Sequence, residues 1–197
     1  DLDHYCGVLD LAQNVRIDKV MLPPQVLATA SAEPWSAAAH LVAGLTQRGV
    51  PIETVSRGGR LVAGDATGLV LWPPADWPSS PTNDASLVLS LHVAGSRVLL
   101  SGEIQERAID AILATGDVLR ADVADLPHHG SYVAASPRWL RAVSPSITLQ
   151  SCNAARLRHD KWEPLLTETG ARRWITAQHG MVEVTIGREG RIDVTSF

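Results

Sequence analysis

The sequence contains little cysteine and no long apolar run, and each shortage excludes a class of protein. Its 197 residues include two cysteines, Cys6 and Cys152, which are too few for the disulfide framework of a small disulfide-rich domain. We expect both to be reduced, half-buried thiols. No stretch approaches about 18 consecutive apolar residues, so we expect no membrane segment in this chain. No secretory signal peptide is visible.

A strong excess of positive charge is also lacking, and with it the usual signature of a nucleic-acid-binding surface. The formal net charge is -4, and Lys19 and Lys161 are the only lysines. This balance leaves room for a local basic patch, or for phosphate contacts made through a metal ion. The 45% hydrophobic and 19% charged residues are typical of one globular domain, or of one domain with part of another.

Short apolar runs alternate with helical patterns along the chain, which predicts an α/β fold. Apolar residues recur at helical spacing in four segments, namely 35–48, 104–113, 137–143 and 161–169. Strands are predicted at 19–22, 51–55, 60–63, 68–72, 86–93, 97–100, 122–126, 146–150, 173–176, 181–186 and 191–195. This order favours stacked sheets flanked by helices over a doubly wound single sheet.

The strongest candidate for chemistry is the run Pro127-His128-His129-Gly130-Ser131, which follows a predicted buried strand. Two adjacent imidazoles are hard to explain by packing, because burial would require partners for four ring nitrogens. Loops at strand ends are also where functional residues collect. The pattern indicates a hydrolytic metal site with His128 and His129 at its centre.

Two further groups place metal-binding residue types at predicted strand ends. Asp1 and Asp3 are separated by one residue and His4 follows directly, at a position where a strand is predicted to end. Such alternation places oxygen and nitrogen donors on one side of a loop, which suits a zinc- or manganese-type ion. A solvated acidic N-terminus is the alternative explanation. Glu103 follows Gly102 after an apolar strand and is predicted to open a helix, where the helix dipole favours a carboxylate without any metal.

A polar segment at residues 151–160 contains His159, just before a predicted helix. The alternative to a functional role is an exposed loop in which Asp160 caps that helix. The segment and its surroundings also contain positive charges that could hold a phosphate. These are Arg156, Arg158 and Lys161.

The other polar residues near predicted elements have simpler explanations. Asn83 precedes a predicted buried strand, where its side chain can orient a ligand or form a turn. The remaining histidines lie in a helix face, in a strand and in the approach to a hairpin, and we expect them to be structural or exposed. They are His40, His92 and His179.

Taken in order, these motifs resemble the metallo-β-lactamase fold, and more narrowly the C-terminal domain of ComEC-type DNA-uptake proteins. The matching segments span essentially the whole chain and lie at residues 1–7, 71–74, 83–89, 99–103, 127–131 and 136–137. The resemblance implies an αββα sandwich with its metal site where strand-end loops converge. Residues 1–197 would form a single, partial domain of this kind, without the fold's N-terminal strands.

The resemblance also implies that a divalent metal, zinc or manganese, activates water against a phosphodiester, with single-stranded DNA as the partner. The implied metal residues are Asp1, Asp3, His4, Glu103, His128 and His159. The implied catalytic residues are Asp3, which would orient or deprotonate the nucleophile, and His129, which would position the substrate. The implied substrate-binding residues are Asn83, Ser131, Arg156 and Arg158.

Departures from the family pattern leave other functions open. Glu103 stands where the family has aspartate, and Arg158-His159-Asp160 replaces Gly-His-Pro. The alternatives are a non-catalytic domain used for binding or scaffolding, and a hydrolase that acts on another ester or a lactam.

The family also has a histidine two positions before the residue that matches Asp1, and strands before that. We therefore expect a fragment, a chain whose N-terminal half is supplied by another segment, or a divergent member. A soluble domain is expected, extracytoplasmic if its parent is a membrane-embedded competence protein and otherwise cytoplasmic.

Overall fold

The computed structural model describes residues 2–80 and 82–197, without the side chains of residues 2–4, 6 and 82. The helices are α1 (Leu2–Asn14), α2 (Pro24–Ala32), α3 (Ala37–Gln47), α4 (Glu106–Ala114), α5 (Pro127–Gly130), α6 (Ser136–Val143), α7 (Trp162–Thr169) and α8 (Thr176–His179). The strands are β1 (Val20–Leu22), β2 (Ile52–Thr54), β3 (Arg60–Ala63), β4 (Ala66–Trp72), β5 (Val88–Val93), β6 (Ser96–Leu100), β7 (Val123–Asp125), β8 (Ile147–Gln150), β9 (Arg172–Ile175), β10 (Val182–Ile186) and β11 (Ile192–Ser196). The predicted α/β class is confirmed.

The main sheet has seven strands in the order β3-β4-β5-β6-β7-β8-β9. Neighbours from β3 to β6 are antiparallel, and neighbours from β6 to β9 are parallel. Each parallel strand is added on the same side of the previous one, so right-handed crossovers place their helices on one face. A doubly wound sheet would reverse its strand order, so this sheet is not doubly wound, as predicted.

The core lies between that face of the sheet and the crossover helices. Leu99 of β6 and Ala124 of β7 point into it and are almost completely buried. Ile109 of α4 and Trp139 of α6 fill the space above them. A second cluster forms around Trp162 of α7. Because α6 contributes Trp139 to the first cluster and Leu140 to the second, the two clusters together hold the helices against the strands that they connect.

The opposite face of the sheet is covered only in part. Val123 and Ile147 are buried there, whereas Leu100 remains 37% exposed. The antiparallel hairpin of β10 and β11 is anchored near its turn, where the Ser96 hydroxyl donates to the Gly190 carbonyl at 3.1 Å. No helix among the described residues is long and apolar enough to cross a lipid bilayer.

The N-terminal region corrects two predictions from the sequence. Residues that were expected at a strand end belong to α1, and α2 follows Pro23 where only the end of a strand was expected. Proline ends a strand but also starts helices well, because its fixed φ suits the first turn. Gln25 of α2 donates to the carbonyls of Pro74 and Trp77, which links α2 to the loop that follows β4 of the main sheet.

Candidate functional site

The carboxyl ends of the parallel strands lie at one edge of the main sheet, and the predicted motifs follow them. Glu103 comes after β6, the two histidines after β7, and residues 151–160 after β8. This edge is where open α/β sheets bind ligands. The sheet therefore brings Glu103, His128 and His129 together, although 25 positions separate Glu103 from His128 in sequence.

The carboxylate of Glu103 lies between the two imidazoles. Its Oε2 is 3.5 Å from Nε2 of His128, and its Oε1 is 3.6 Å from Nε2 of His129. The Glu103 side chain is 13% exposed, against 21% for His128 and 41% for His129. The cluster is thus half-open to solvent, and the carboxylate is its least exposed member.

Glu103 does not open a helix, so its interpretation as a helix-capping carboxylate is wrong. It lies in the turn before α4, which begins at Glu106. Gly102 adopts a φ of 57°, and a Cβ there would lie about 3.0 Å from the Leu87 carbonyl oxygen. Since only glycine avoids that strain and crowding, the Gly102-Glu103 pair positions the carboxylate at the sheet edge.

His128 is held from two sides. Its backbone N–H donates to the Gly102 carbonyl at 2.9 Å, which links the histidine loop to the Glu103 turn. Its Nδ1 lies 2.6 Å from the amide nitrogen of Gln105, the residue that caps α4. The amide nitrogen can donate a hydrogen bond to Nδ1 or, after a half-turn, the amide oxygen can accept one from Nδ1–H, so both tautomers of His128 have a partner.

His129 has a tautomer that the structure fixes. Its Nδ1 is 2.9 Å from the Ser151 carbonyl oxygen, which can only accept a hydrogen bond, so Nδ1 carries a proton. In the neutral ring, Nε2 then presents a lone pair towards Glu103 Oε1. Two acceptors face each other there, and a proton or a cation between them removes the repulsion.

The donor set fits a divalent ion in part. Charge-assisted N–H···O bonds measure about 2.7–2.9 Å, shorter than either separation at Glu103. Two ligands on one tetrahedral ion, each about 2.0–2.1 Å from it, lie about 3.3 Å apart, close to both separations. Imidazole nitrogen and carboxylate oxygen are also the donors that zinc and manganese accept.

These residues do not complete a metal site among the described side chains. In that part of the chain, no group of three histidine, cysteine, aspartate or glutamate side chains is arranged to hold an ion. The predicted ligands Asp1, Asp3 and His4 lie outside the described residues or side chains. Glu103, His128 and His129 would therefore supply only some of the donors.

His159 lies away from the carboxylate of Glu103. It is exposed at the end of the short 3-10 helix Ala154–His159 and lines a groove of about 510 Å³ with Ser131 and Arg156. Lys161 is the second cation in the groove wall. Arg158 is exposed at the same turn. The groove begins beside Gly130, so it forms a basic approach to the histidine pair.

The Asp160 carboxylate is stabilised in its charged form. Burial raises the pKa of Asp160, but hydrogen bonds from the Arg173 guanidinium and the Trp162 backbone N–H outweigh this and lower it. The Trp162 N–H lies at the start of α7, but the N-cap residue of this helix is Lys161, so Asp160 accepts this bond from one position before the cap rather than as the N-cap that the sequence predicted. Asp160 therefore adds little free negative charge to the groove, because Arg173 neutralises it.

Asn83 lies on the other side of Glu103. Both line a cavity of about 490 Å³ between α2, α3 and the main sheet, with Val26 and Ala38 among the apolar side chains. Asn83 belongs to the single 3-10 turn Thr82–Ala85 before β5, so it does form a turn. Glu103 thus lines a mainly apolar cavity, whereas the basic groove begins at Gly130, beyond the two histidines.

The remaining histidines and Cys152 match the simpler expectations. His40 is exposed, His92 accepts a hydrogen bond from Arg97, and His179 contacts the backbone of its own turn. Cys152 is a free, half-buried thiol whose pKa is raised by burial.

Asp125 is a site neighbour that the sequence interpretation missed. Its Oδ1 accepts the Ser101 N–H at 2.6 Å, so it holds the turn that presents Glu103. Burial raises the pKa of Asp125 to about 6, against the lowering effect of the hydrogen bonds from Ser101. The sequence does contain a signal for this residue, because Asp125 places a carboxylate at the end of an otherwise apolar strand.

We expect Asp125 to make stability depend on pH. Between about pH 4 and pH 6 the folded state retains a proton that the unfolded state has lost, so the free energy of unfolding falls as pH rises, by up to about 3 kcal/mol. Asp125→Asn keeps an oxygen acceptor for Ser101 and should flatten this dependence. Urea unfolding at several pH values measures it, and an equal fall in both proteins would contradict the assignment.

Comparisons with known proteins agree with the motifs. No protein-family model matches the chain. ComE operon protein 3 of Bacillus subtilis (strain 168) is 26% identical over 186 residues, which cover 93% of this chain. The chain spans 23% of the length of that relative.

A crystal structure of a Thermotoga maritima protein, assigned as a zinc-dependent hydrolase of the metallo-β-lactamase superfamily, matches 62% of each chain at 11% identity. Its TM-score of 0.34 is too low to support an argument about the fold. The resemblance that the motifs indicated is nevertheless confirmed at the level of sequence. The chain is an α/β protein that is similar, along nearly all its length, to a ComEC-type protein.

Proposed function

We propose that this chain is a metal-dependent hydrolase domain that cleaves phosphodiesters in DNA. The observation that carries the proposal is the Glu103 carboxylate, whose two oxygens face the Nε2 atoms of His128 and His129 at 3.5 and 3.6 Å. Such a pair of imidazoles around a carboxylate at a sheet edge suits metal-assisted hydrolysis. Similarity to ComE operon protein 3 supports the ComEC-like branch.

The chain's own residues have distinct roles in this proposal. Glu103 and His128 would hold a divalent cation, zinc or manganese, together with the acidic N-terminal residues. A cation held there supplies Lewis-acid activation of water and neutralises charge on a phosphate. His129, with its proton held on Nδ1 by Ser151, would position the substrate or share in holding the cation. Asp3 would orient or deprotonate the attacking water.

The basic groove would bind the polynucleotide. Arg156 lines it beside Ser131, and guanidinium groups pair well with phosphate oxygens. Arg158 lies at the same turn and would add a second contact. Asn83 would contact substrate from the cavity side. If the domain belongs to a ComEC-type membrane protein, it would act on single-stranded DNA on the extracytoplasmic side of the membrane.

The second candidate is a domain that binds without catalysis. It is favoured by two departures from the family pattern, namely Glu103 in place of aspartate and Arg158-His159-Asp160 in place of Gly-His-Pro. On this alternative, the Glu103 carboxylate would form ion pairs with protonated His128 and His129. Metal binding separates the two candidates.

The test is manganese or zinc binding by the purified protein, followed by cleavage of labelled single-stranded DNA. We expect at least one equivalent of bound metal, cleavage that depends on metal, and loss of cleavage in His128→Ala. His92→Ala is the matched control, because His92 is an exposed histidine on β5. Less than about a tenth of an equivalent of metal, with no thermal shift on adding it, would contradict the proposal.

A further inference from the structure

The backbone of the histidine loop is held in an unfavourable conformation. His128, His129 and Gly130 all have left-handed φ values, at 48°, 56° and 77°. Only glycine adopts this region freely, so two residues with a Cβ must be stabilised there by their surroundings. What surrounds this loop therefore decides where the imidazoles point.

Two buried side chains hold the loop from behind. Gln150 at the end of β8 is 2% exposed, and its Nε2 donates to the His129 carbonyl at 3.1 Å. Trp162 of α7 donates from its indole nitrogen to the Gly130 carbonyl at 2.8 Å. The Gln150 amide also fills the space that a Cβ on residue 130 would need. The loop thus lies directly on Gln150.

Arg173 orients Gln150. The arginine side chain is 8% exposed, and its Nη1 donates to Gln150 Oε1 at 3.1 Å. Because a guanidinium can only donate, the amide oxygen must face Arg173 and the amide nitrogen must face the His129 carbonyl. The direction of the amide is therefore fixed by Arg173.

The same guanidinium holds the opposite wall of the basic groove. Nη2 of Arg173 donates to the carboxylates of Asp160 and Glu163. Asp160 directly follows the turn that contains Arg156 and His159. Arg173 lies on β9, away from the candidate ligands. It contacts Gln150, which supports the histidine loop, and Asp160, which adjoins the Arg156–His159 turn.

We propose that Arg173 and Gln150 are positioning residues that hold the histidine loop and the Arg156–His159 turn at a fixed spacing. Neither is among the residues proposed above to bind the cation or the substrate. Their effect on metal binding rests on the proposed function, whereas their effect on the histidine rings does not.

Two variants separate the contacts. Gln150→Glu keeps an oxygen acceptor for Arg173 but replaces the donor to the His129 carbonyl by a second acceptor. Arg173→Lys keeps the charge, but a single ammonium group cannot reach Gln150, Asp160 and Glu163 in the planar arrangement of a guanidinium. Arg141→Lys is the matched control, since the Arg141–Glu168 pair is exposed.

The first readout is the ¹⁵N spectrum of the histidine side chains in protein without added metal, with His128 and His129 assigned from alanine variants. We expect their ring signals to shift in Gln150→Glu and in Arg173→Lys but not in Arg141→Lys. The second readout is manganese affinity, expected to fall about 10–100-fold in the same two variants. Circular dichroism identifies folded variants, and Arg173→Lys provides the result if Gln150→Glu does not fold.

Unchanged ring signals in a folded Gln150→Glu or Arg173→Lys protein would overturn the positioning role, even if the wild type binds metal and cleaves DNA. A wild type that binds no metal would overturn the proposed function instead. In that case, shifted histidine signals would still support the positioning role.

Discussion

Replacing Glu103 by glutamine is expected to lower the affinity for manganese or zinc by roughly 100-fold or more, because loss of a direct ligand exceeds the 10–100-fold cost of losing an outer partner. Glutamine keeps the size of the side chain but removes the charge that faces both imidazoles. Glu189→Gln, at an exposed position in the hairpin turn, is the control. Calorimetric titration measures both affinities.

Glu103→Asp tests whether the longer side chain suits this site. Aspartate withdraws the carboxylate by about 1.5 Å, while metal sites tolerate shifts of about 0.2 Å. If the surrounding turn is adapted to glutamate, the variant should bind metal more weakly than the wild type. Tighter binding by Glu103→Asp would instead favour the non-catalytic alternative, in which the natural residue has weakened an ancestral site. Equal affinity of Glu103→Gln and wild type would exclude Glu103 as a ligand.

Replacing Trp139 by alanine is expected to lower the free energy of unfolding by about 3–5 kcal/mol. Trp139 is 1% exposed and packs in the cluster that contains Ile109 and Leu99, so its removal leaves a cavity in the centre of the core. Since α4 and α6 share this cluster, the loss should also loosen the loops that they anchor. The transition in urea should remain cooperative, with a lower midpoint.

Trp35→Ala is the matched control for this experiment. Trp35 is 99% exposed, so the same substitution should change stability by no more than about 0.5 kcal/mol. A loss below about 1 kcal/mol in Trp139→Ala would show that this helix layer contributes little to the fold.

Much of the architecture could be predicted from the sequence. Short apolar runs predicted all seven strands of the main sheet, and helical spacing predicted α3, α4, α6 and α7. These signals are local, because the period of an amphipathic element is determined within about ten residues. The helices near the N-terminus were missed because Pro23 and Pro24 fitted two interpretations and the residues that begin α1 were interpreted as a strand end.

The candidate site could be predicted in its residue types but only in part in its contacts. His128 and His129 were recognisable because two adjacent imidazoles are costly to bury. Their link to Glu103 could be inferred from the resemblance, whereas the spacing of 3.5 and 3.6 Å depends on how β6 and β7 pair. Asp125 and Gln150 each looked like an ordinary polar residue at a strand end.

The sequence by itself determined the α/β class and predicted the histidine pair as the centre of the candidate site, because both depend on local pattern and residue type. The tertiary structure decided that Glu103 reaches both imidazoles, that His159 lies in the groove, and that Arg173 supports the loop. These contacts join residues more than 20 positions apart, and only strand pairing and the shared core set their distances. His128 and His129 thus remain the centre of the candidate site. Their loop is held by Gly102 after β6 and by Gln150 of β8, which Arg173 of β9 orients.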